Sequence, residues 1–526
     1  MPKFKTYTMN QIQLLPPSYD ELIPAEHLVR VVNSVIDSLN LNKLYSRYKE
    51  AGCPAYHPQM MLKVLIFAYT QKTYSSRQIA KALRENINFM WLSGDQKPDF
   101  RTVNRFRSDM KDIIEEVFYA VVMLLLEKGY IKQENYFLDG TKIEANANKY
   151  SFKWKKSVVK YDAKLDDKIR IRLKEIDRIT QEENDLYQDN DLEETGEIAE
   201  RITSEQVKKI AEEIEKRLEE TARAEDKEPK DKGVRKSRKK LKKIHKELKD
   251  DIIPRKERYE QDLEIFGERN SYSKTDHDAT FMRMKEDHML NGQLKPGYNV
   301  QIGTENTYIV GYTIHPNPTD TKTLIPHLEH QKEQLGKLPH TVIADSGYGS
   351  EENYEYLKQN SCESCVKYGT YHKEQTKKHK NNPFLADNML YDAESDSYTC
   401  PNGRKLEHSG SRKYTTEAGY QTRRDIYRCQ DCSGCPYAEQ CKKGESRSIQ
   451  VSHRLNELKR ETRENLCSPT GQVLAARRSS EVEQTFGRIK GCWSFRRFLL
   501  RGIEKVKIEW GLLSIAHNIT KMALEG

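Results

Sequence analysis

Near the C-terminal end, the stretch RRSSEVEQTFGRIKGCWSFRRF (477–498) sets a carboxylate among cations in a pattern suited to phosphate chemistry. Val482, Phe486, Ile489 and Trp493 recur at i, i+4, i+7 and i+11, which predicts one apolar face of a helix. Glu483 and Lys490 are seven residues apart, so on a regular helix they stand almost above one another beside that face. Gly487 between them leaves room for a ligand to approach. Residues 477–507 hold nine Lys/Arg against three Glu. A carboxylate in such surroundings suits a metal ligand facing a polyanion, and the same pattern fits the charged outer side of an ordinary amphipathic helix. Glu481 points roughly 160° round the helix from Glu483. With Arg477 and Arg488 nearby, Glu481 reads as a member of a surface ion pair.

Two aspartates follow apolar runs. Tyr136-Phe137-Leu138 reads as a short buried strand, closed by Asp139 just before Gly140. Thr341 to Ala344 reads as another, with Asp345 after it and Ser350 capping the next helix. Asp before Gly is ordinary turn chemistry, but α/β folds also bind ligands at strand ends. Cys400, Cys429, Cys432, Cys435 and Cys441 form a third group, with the spacing C-x2-C-x2-C-x5-C downstream of CPNG. Four thiolates in tight turns suit structural zinc, and five candidates leave one spare. Cys53, Cys362, Cys365, Cys467 and Cys492 are scattered and read as ordinary thiols.

The elements that must position these groups read as follows. Residues 1–25 form an arm. Helices begin at Leu28 and at Pro58, and Ser75 with Gln78 signals a capping box. Asp99 caps a single helix running to Gly129, with Arg101, Arg105 and Arg107 at its start. This region fits a helix-turn-helix and a plain helical bundle equally. Residues 151–260 carry 31 Lys/Arg and 29 Asp/Glu, which predicts long solvated helices, a hairpin or coiled coil, inserted in the next domain. Nine acids and no base lie between Glu182 and Glu200, and ten bases and one acid between Lys232 and Lys249. The stretch 225–233 is expected to be partly disordered. Beyond Ser271, 297–314 reads as two strands around the turn Glu305-Asn306, 317–336 as a helix, and 361–369 as one more strand.

At 526 residues the chain is long enough for several cores. No apolar run reaches a membrane span, and MPKFKTYTMNQ lacks a secretory apolar core, so a cytoplasmic, nucleoid-associated protein is expected. The net charge of +9 is modest, but its clustering points to nucleic acid.

Taken in order, strand(Asp)–strand–strand–helix–strand(Asp)–helix–strand–insert–helix(Glu) matches a ribonuclease-H-like fold. With YFLDGTKIEANANKY, FMRMKEDHMLNGQLKPGYNVQI, NPTDTKTLIPHL, ADSGYGSEENYEYL and EVEQTFGRIKGCWSFRRFLLRG, the chain resembles a bacterial insertion-sequence transposase of the DDE class, of the insertion-sequence family 1182 type. HPQMMLKVLIFAYTQKTYSSRQIAKAL and PDFRTVNRFR are similar to that family's N-terminal helical domain. The resemblance implies an α/β ribonuclease-H-like catalytic domain with an all-α N-terminal domain, a long charged helical insert and a small zinc-knuckle insert. The boundaries are 1–130 for the N-terminal DNA-binding domain, 131–150 with 265–370 for the first parts of the core, 151–264 for the charged insert, 371–470 for the zinc-binding insert and 471–526 for the last core helices.

The resemblance further implies catalysis by Asp139, Asp345 and Glu483 holding two Mg²⁺ or Mn²⁺ ions, roughly 3.5–4 Å apart. The substrates implied are double-stranded DNA bearing terminal inverted repeats, and target DNA, handled by a homodimer or higher assembly. Of the helix motif Tyr-x2-Arg-x3-Glu-x6-Lys, Glu483 and Lys490 fit. Ala476 and Ser479 stand in the Tyr and Arg places, with Arg478 a substitute one residue away. Lys490, Arg478, Arg496, Arg497, Arg501, Lys505, Arg101 and Arg105 are the DNA-binding candidates. The family's CxGCP…C element favours Cys400, Cys432, Cys435 and Cys441 for structural Zn²⁺, with Cys429 spare. A structure-selective nuclease and a catalytically idle DNA-binding descendant are the competing functions on the same fold.

Overall fold

The computed structural model describes residues 17–48, 54–187, 201–225, 232–284, 293–416, 418–442 and 444–525, without the side chains of 183–187, 221–225 and 232–234. Most of the expected arm, most of the acidic run after Glu182 and most of 225–233 lie outside the described residues. The chain divides into two compact units. Unit 1 comprises 1–146, 283–293 and 297–526; unit 2 comprises 147–282 and 294–296.

Unit 1 begins with helices α1 (Leu28–Ser38), α2 (Pro58–Thr70), α3 (Ser76–Glu85), α4 (Phe100–Ser108) and α5 (Ile114–Glu127). Proline at the first position opens α2, where its missing N–H has no intrahelical partner to lose. Asp99 caps α4 by accepting the Thr102 N–H at 2.7 Å. The capping box at Ser75 does not form, because no side chain caps α3. The single helix expected over 100–129 is two, separated at Asp109–Ile113. Arg107 is an internal tie: it is 3% exposed and donates to the Tyr74 carbonyl at 2.7 Å.

Unit 2 is a bundle of α6 (Lys155–Tyr187), α7 (Ser204–Glu225), α8 (Lys232–Glu247) and α9 (Ile253–Phe266), with a π-helical turn, Leu248–Ile252, between the last two. The solvated hairpin expected there is corrected by a core of its own. Leu165, Ile169, Leu173, Ile214, Leu241, Ile244 and Ile252 are buried together. Lys256 is 0% exposed, with its ammonium 2.7 Å from Asp162 Oδ1 and 2.5 Å from Asp166 Oδ1. A buried ammonium is tolerated because two carboxylates pair with it and accept its hydrogen bonds.

The rest of unit 1 is built on β1 (Asn135–Glu144), β2 (Leu294–Glu305), β3 (Tyr308–His315), β4 (Thr341–Ala344) and β5 (Glu363–Val366). In unit 1 these lie side by side in the order β3-β2-β1-β4-β5. The first three are antiparallel, and β1-β4 and β4-β5 are parallel. This is the ribonuclease-H-like order. β1 is longer than expected: Asp139 sits in mid-strand opposite Ile302 and does not end it. The β2–β3 turn is Asn306-Thr307, at φ 52° and 59°, one residue later than expected. A two-residue hairpin of this kind needs both residues left-handed. Glu305 instead gathers the N–H groups of Lys132, Gln133, Glu134 and Asn135, fixing the entry to β1.

α10 (Leu324–Leu335) and α11 (Glu351–Gln359) join the later strands, and Ser350 caps α11 as expected. The cysteine-rich segment is an antiparallel sheet of β6 (Leu390–Asp392), β7 (Ser397–Thr399), β8 (Lys405–Thr415), β9 (Gln421–Cys429) and β10 (Ser448–Val451). It packs Tyr398, Leu406, Tyr427, Ile449 and Val451 into an apolar core. α12 (His453–Cys467), α13 (Pro469–Gly487), a π-helical turn at Arg488–Cys492 and α14 (Ile503–Glu525) complete the unit. The Tyr74 hydroxyl donates to the Trp493 carbonyl at 3.0 Å, and Phe118 meets Tyr312 edge-on. The N-terminal helices thus share a core with the sheet.

Candidate active site

Asn135, Tyr136 and Phe137 of β1 lie opposite Thr341, Val342 and Ile343 of β4. Carried two positions further, just past the end of β4, the same offset brings Asp139 level with Asp345. Ala344 lies opposite Val366 of β5, which sets Asp345 beside Lys367. Neighbouring strands are about 4.7–4.9 Å apart, so the three residues form a row across the sheet where β4 and β5 end. Phe137, Ile343 and Cys365, two positions earlier, are buried in one cluster with Leu474 and Val482 of α13. With a side-chain period of two, Asp139, Asp345 and Lys367 face the same way.

Arg478 of α13 brings Nη1 to 3.8 Å from Asp139 Oδ2, with the two side chains 19% and 11% exposed. Asp139 Oδ1 accepts the Gly140 N–H and Asp345 Oδ1 the Gly347 N–H, both at 2.8 Å. Burial lowers the pKa of the Lys367 ammonium, and Arg478 adds to this while Asp345 opposes it.

A further carboxylate was not singled out from the sequence. Asp320 Oδ1 accepts from Asn299 Nδ2 at 2.8 Å and from Gln301 Nε2 at 3.0 Å. Asn299 and Gln301 are buried on β2. A Cβ at Gly140 would fall 2.7 Å from Asp320 Oδ1, so only glycine lets β1 and Asp320 come this close. A Cβ at Gly347 would stand 3.0 Å from Asp345 Oδ1 and 3.6 Å from Asp320 Oδ2. The Tyr348 hydroxyl, bonded to Gln301, is held protonated first by burial and then by the charges of Asp320, Asp139 and Asp345. Asp320 lies in NPTDTKTLIPHL; its signal was a pair of amides at buried positions of a strand, which need a polar partner.

The remaining candidates are placed differently. Glu483 is exposed on α13, about 140° round the helix from Arg478. Glu481 is no surface ion-pair member: it is 3% exposed, accepts the Thr307 N–H at 2.6 Å and pairs with Arg477. α13 ends at Gly487, so Lys490 falls in the π-helical turn. The seven-residue stacking of Glu483 and Lys490 assumed an unbroken α-helix. Arg496, Arg497, Arg501 and Lys505 are exposed. Arg497 and Arg501 each give one N–H to the carbonyls of Ala145 and Asn146, at 3.2 and 2.7 Å. Arg101 and Arg105 are exposed on α4.

Among the described residues no three His, Cys, Asp or Glu side chains stand close enough to hold a metal ion. Asp139 and Asp345 offer the oxygen donors that suit magnesium, without a third. The cysteines converge more loosely. Burial raises the Cys441 pKa, and the charges of Cys400, Cys432 and Cys435 raise it further. Burial and then Cys432 push the Cys429 thiol up to about 11.

Residues 399–523 match the family model described as "Transposase DDE domain". Residues 17–109 match the one described as "Transposase domain (DUF772)". The two matches support a DDE transposase. The first covers α13, α14 and all five clustered cysteines; Asp139 and Asp345 lie outside both. No curated protein and no solved structure shows significant similarity to the chain. The DDE domain implies an enzyme acting on DNA in transposition, and such domains generally use divalent metals such as Mg²⁺. Among the described residues no helix is long and apolar enough to cross a membrane.

Proposed function

We propose that the chain is a transposase of the insertion-sequence family 1182 type, which binds terminal inverted repeats and carries out Mg²⁺-dependent strand cleavage and strand transfer. The supporting observation is the parallel register of β1 on β4, which, carried two positions further, brings Asp139 level with Asp345 just past the end of β4, under a helix within the matched DDE domain. Asp139 and Asp345 hold the divalent metals, with Glu483 as third carboxylate. Its side chain makes no hydrogen bond or ion pair among the described residues, so it is available for that role. Metal held there supplies an activated water or 3′-hydroxyl and stabilises the leaving oxygen. Arg478 holds positive charge at Asp139 when metal is absent. Lys490, Arg496, Arg497, Arg501 and Lys505, with Arg101 and Arg105 from the N-terminal domain, take the phosphates. Structural zinc binds Cys400, Cys432, Cys435 and Cys441. The active complex is a homodimer or larger.

The test is incubation of the purified protein with candidate element ends and Mg²⁺ or Mn²⁺, beside Asp139→Asn and Asp345→Asn. Strand-transfer products carrying a defined end, lost in both variants, are expected. Cutting without joining or end preference makes the chain a nuclease, and full activity in either variant removes the assigned site. Zinc analysis of the wild type and Cys435→Ser tests the thiolates. About one zinc per chain, lost in the variant, is expected, and zinc retained in the variant excludes Cys435.

A further inference from the structure

Unit 2 carries a surface the transposase chemistry above does not use. On α8, Leu241 and Ile244 enter the unit's apolar core, as does Leu248 just beyond. At about 100° per residue, Arg235, Lys236, Lys239, Lys242, Lys243 and Lys246 all fall within about 70° of the opposite direction. All six are exposed. None makes an ion pair or side-chain hydrogen bond among the described residues. The neighbouring acids point elsewhere. Glu247 takes Lys168 at 2.7 Å and Arg172 at 2.9 Å, both on α6, and Glu215 takes Lys249 at 3.3 Å.

Cations three and four positions apart on one helix repel each other. Here Arg235/Lys239, Lys239/Lys243 and Lys242/Lys246 do so with no intervening acid on that face. Such a stripe is relieved by a partner whose negative charges recur at comparable spacing. From Arg235 to Lys246 the stripe is about 17 Å long, and duplex DNA presents a negative charge every ~1.7 Å of axis. The face offers no amide or hydroxyl that would read base edges, and lysine binds phosphate as a point charge.

We propose that the outer face of α8 is a second DNA-binding surface, which follows the phosphate backbone of a duplex without regard to sequence. This rests on the transposase reading only for its biological context, since the surface is defined by unit 2 alone.

The test uses the full chain carrying Lys239→Gln, Lys242→Gln, Lys243→Gln and Lys246→Gln together. Gln keeps helix propensity and removes charge. A second variant carries Arg at the same four positions. Binding to a random-sequence duplex is measured by fluorescence anisotropy in chelator, between about 50 and 200 mM salt. The Gln variant is expected to flatten the slope of log K against log salt by roughly three to four, at about 0.9 per phosphate contact, and the Arg variant to leave it unchanged. Far-UV circular dichroism should show both variants folded. A folded Gln variant with the wild-type slope overturns the proposal. So does a variant that binds DNA more tightly, which assigns the face to an acidic segment of the chain itself. Because binding is read without metal, the outcome is independent of whether Asp139 and Asp345 are catalytic.

Discussion

If Arg478 stands where divalent metal would bring its charge, removing that charge should tighten metal binding. The Asp139–Arg478 separation of 3.8 Å corresponds to about 4 kcal/mol of attraction at an effective dielectric of 20. Part of that only offsets desolvation of two largely buried groups, which leaves about 1–3 kcal/mol in competition with a metal. Arg478→Gln should therefore raise affinity for Mn²⁺ by roughly 5- to 150-fold, at about 1.4 kcal/mol per factor of ten. Calorimetric titration without DNA isolates this effect from any contact of Arg478 with phosphate. Asp139→Asn, titrated in parallel, should lose the same binding event. The variant should also unfold at lower temperature than the wild type in chelator, because the buried Asp139 carboxylate loses the nearby Arg478 charge, and recover most of the difference in Mn²⁺. Unchanged or weaker Mn²⁺ binding in a folded Arg478→Gln would refute the reasoning, and Arg478 would then be an ordinary structural partner of Asp139.

Four further outcomes follow from named residues. Glu481→Gln should destabilise unit 1 by about 1–2 kcal/mol in urea unfolding, since the Thr307 N–H bond loses its charge assistance and Arg477 loses its carboxylate. Glu483→Gln should change stability by less than ~0.5 kcal/mol while abolishing cleavage, and full cleavage activity in that variant would remove Glu483 from the site. Lys256→Met should destabilise unit 2 by roughly 3–5 kcal/mol, because Asp162 and Asp166 would stay buried without their shared cation; a neutral result by protease protection would show that water reaches them. His517, whose Nε2 donates to the Thr307 carbonyl at 2.9 Å, is held at a pKa of about 4 by burial, against 6.5. The unfolded chain therefore takes up this proton first, so stability is flat above pH ~6.5 and falls by up to ~3 kcal/mol as pH drops toward 4. His517→Gln should flatten that fall in urea melts at several pH values, and an unchanged profile would assign it to other groups.

The parts of this fold that could be read from the sequence are those fixed by local periodicity. The strand Thr341–Ala344, the cap at Ser350 and the order of strands and helices follow from apolar runs punctuated by turn residues. Where long-range pairing decides, the sequence misleads. Gly140 reads as a turn because Asp-Gly is a turn signal, yet the strand runs on to Glu144, since β2 and Asp320 crowd the place a side chain would occupy. The helix over 100–129 reads as one because nothing at 109–113 forbids helix. The cysteine-rich segment reads as loops tied by metal because its apolar residues are sparse. Five strands still bring enough of them together for a core.

Counting charges hides the difference that matters most in this chain. Lys256, Arg107 and Glu481 look in composition like any of the 169 Lys, Arg, Asp and Glu residues, and each is buried. Their positions carried a signal. Ile252, Lys256 and Tyr259 recur at i, i+4 and i+7, so Lys256 occupies a core place in its helix. Asp162 and Asp166 share the spacing of Val158, Leu165 and Ile169 on α6. A charge at an apolar position predicts an opposite charge at an apolar position on a facing helix, because neither can be buried alone. The cations of α8 fail that test: they lie opposite Leu241 and Ile244, where no facing helix among the described residues supplies acids. By the same reasoning Glu481, three positions from Arg478 on the sheet-facing side of α13, belongs to the fold. Glu483, turned to solvent, makes no hydrogen bond or ion pair among the described residues, so no part of the described fold depends on its charge.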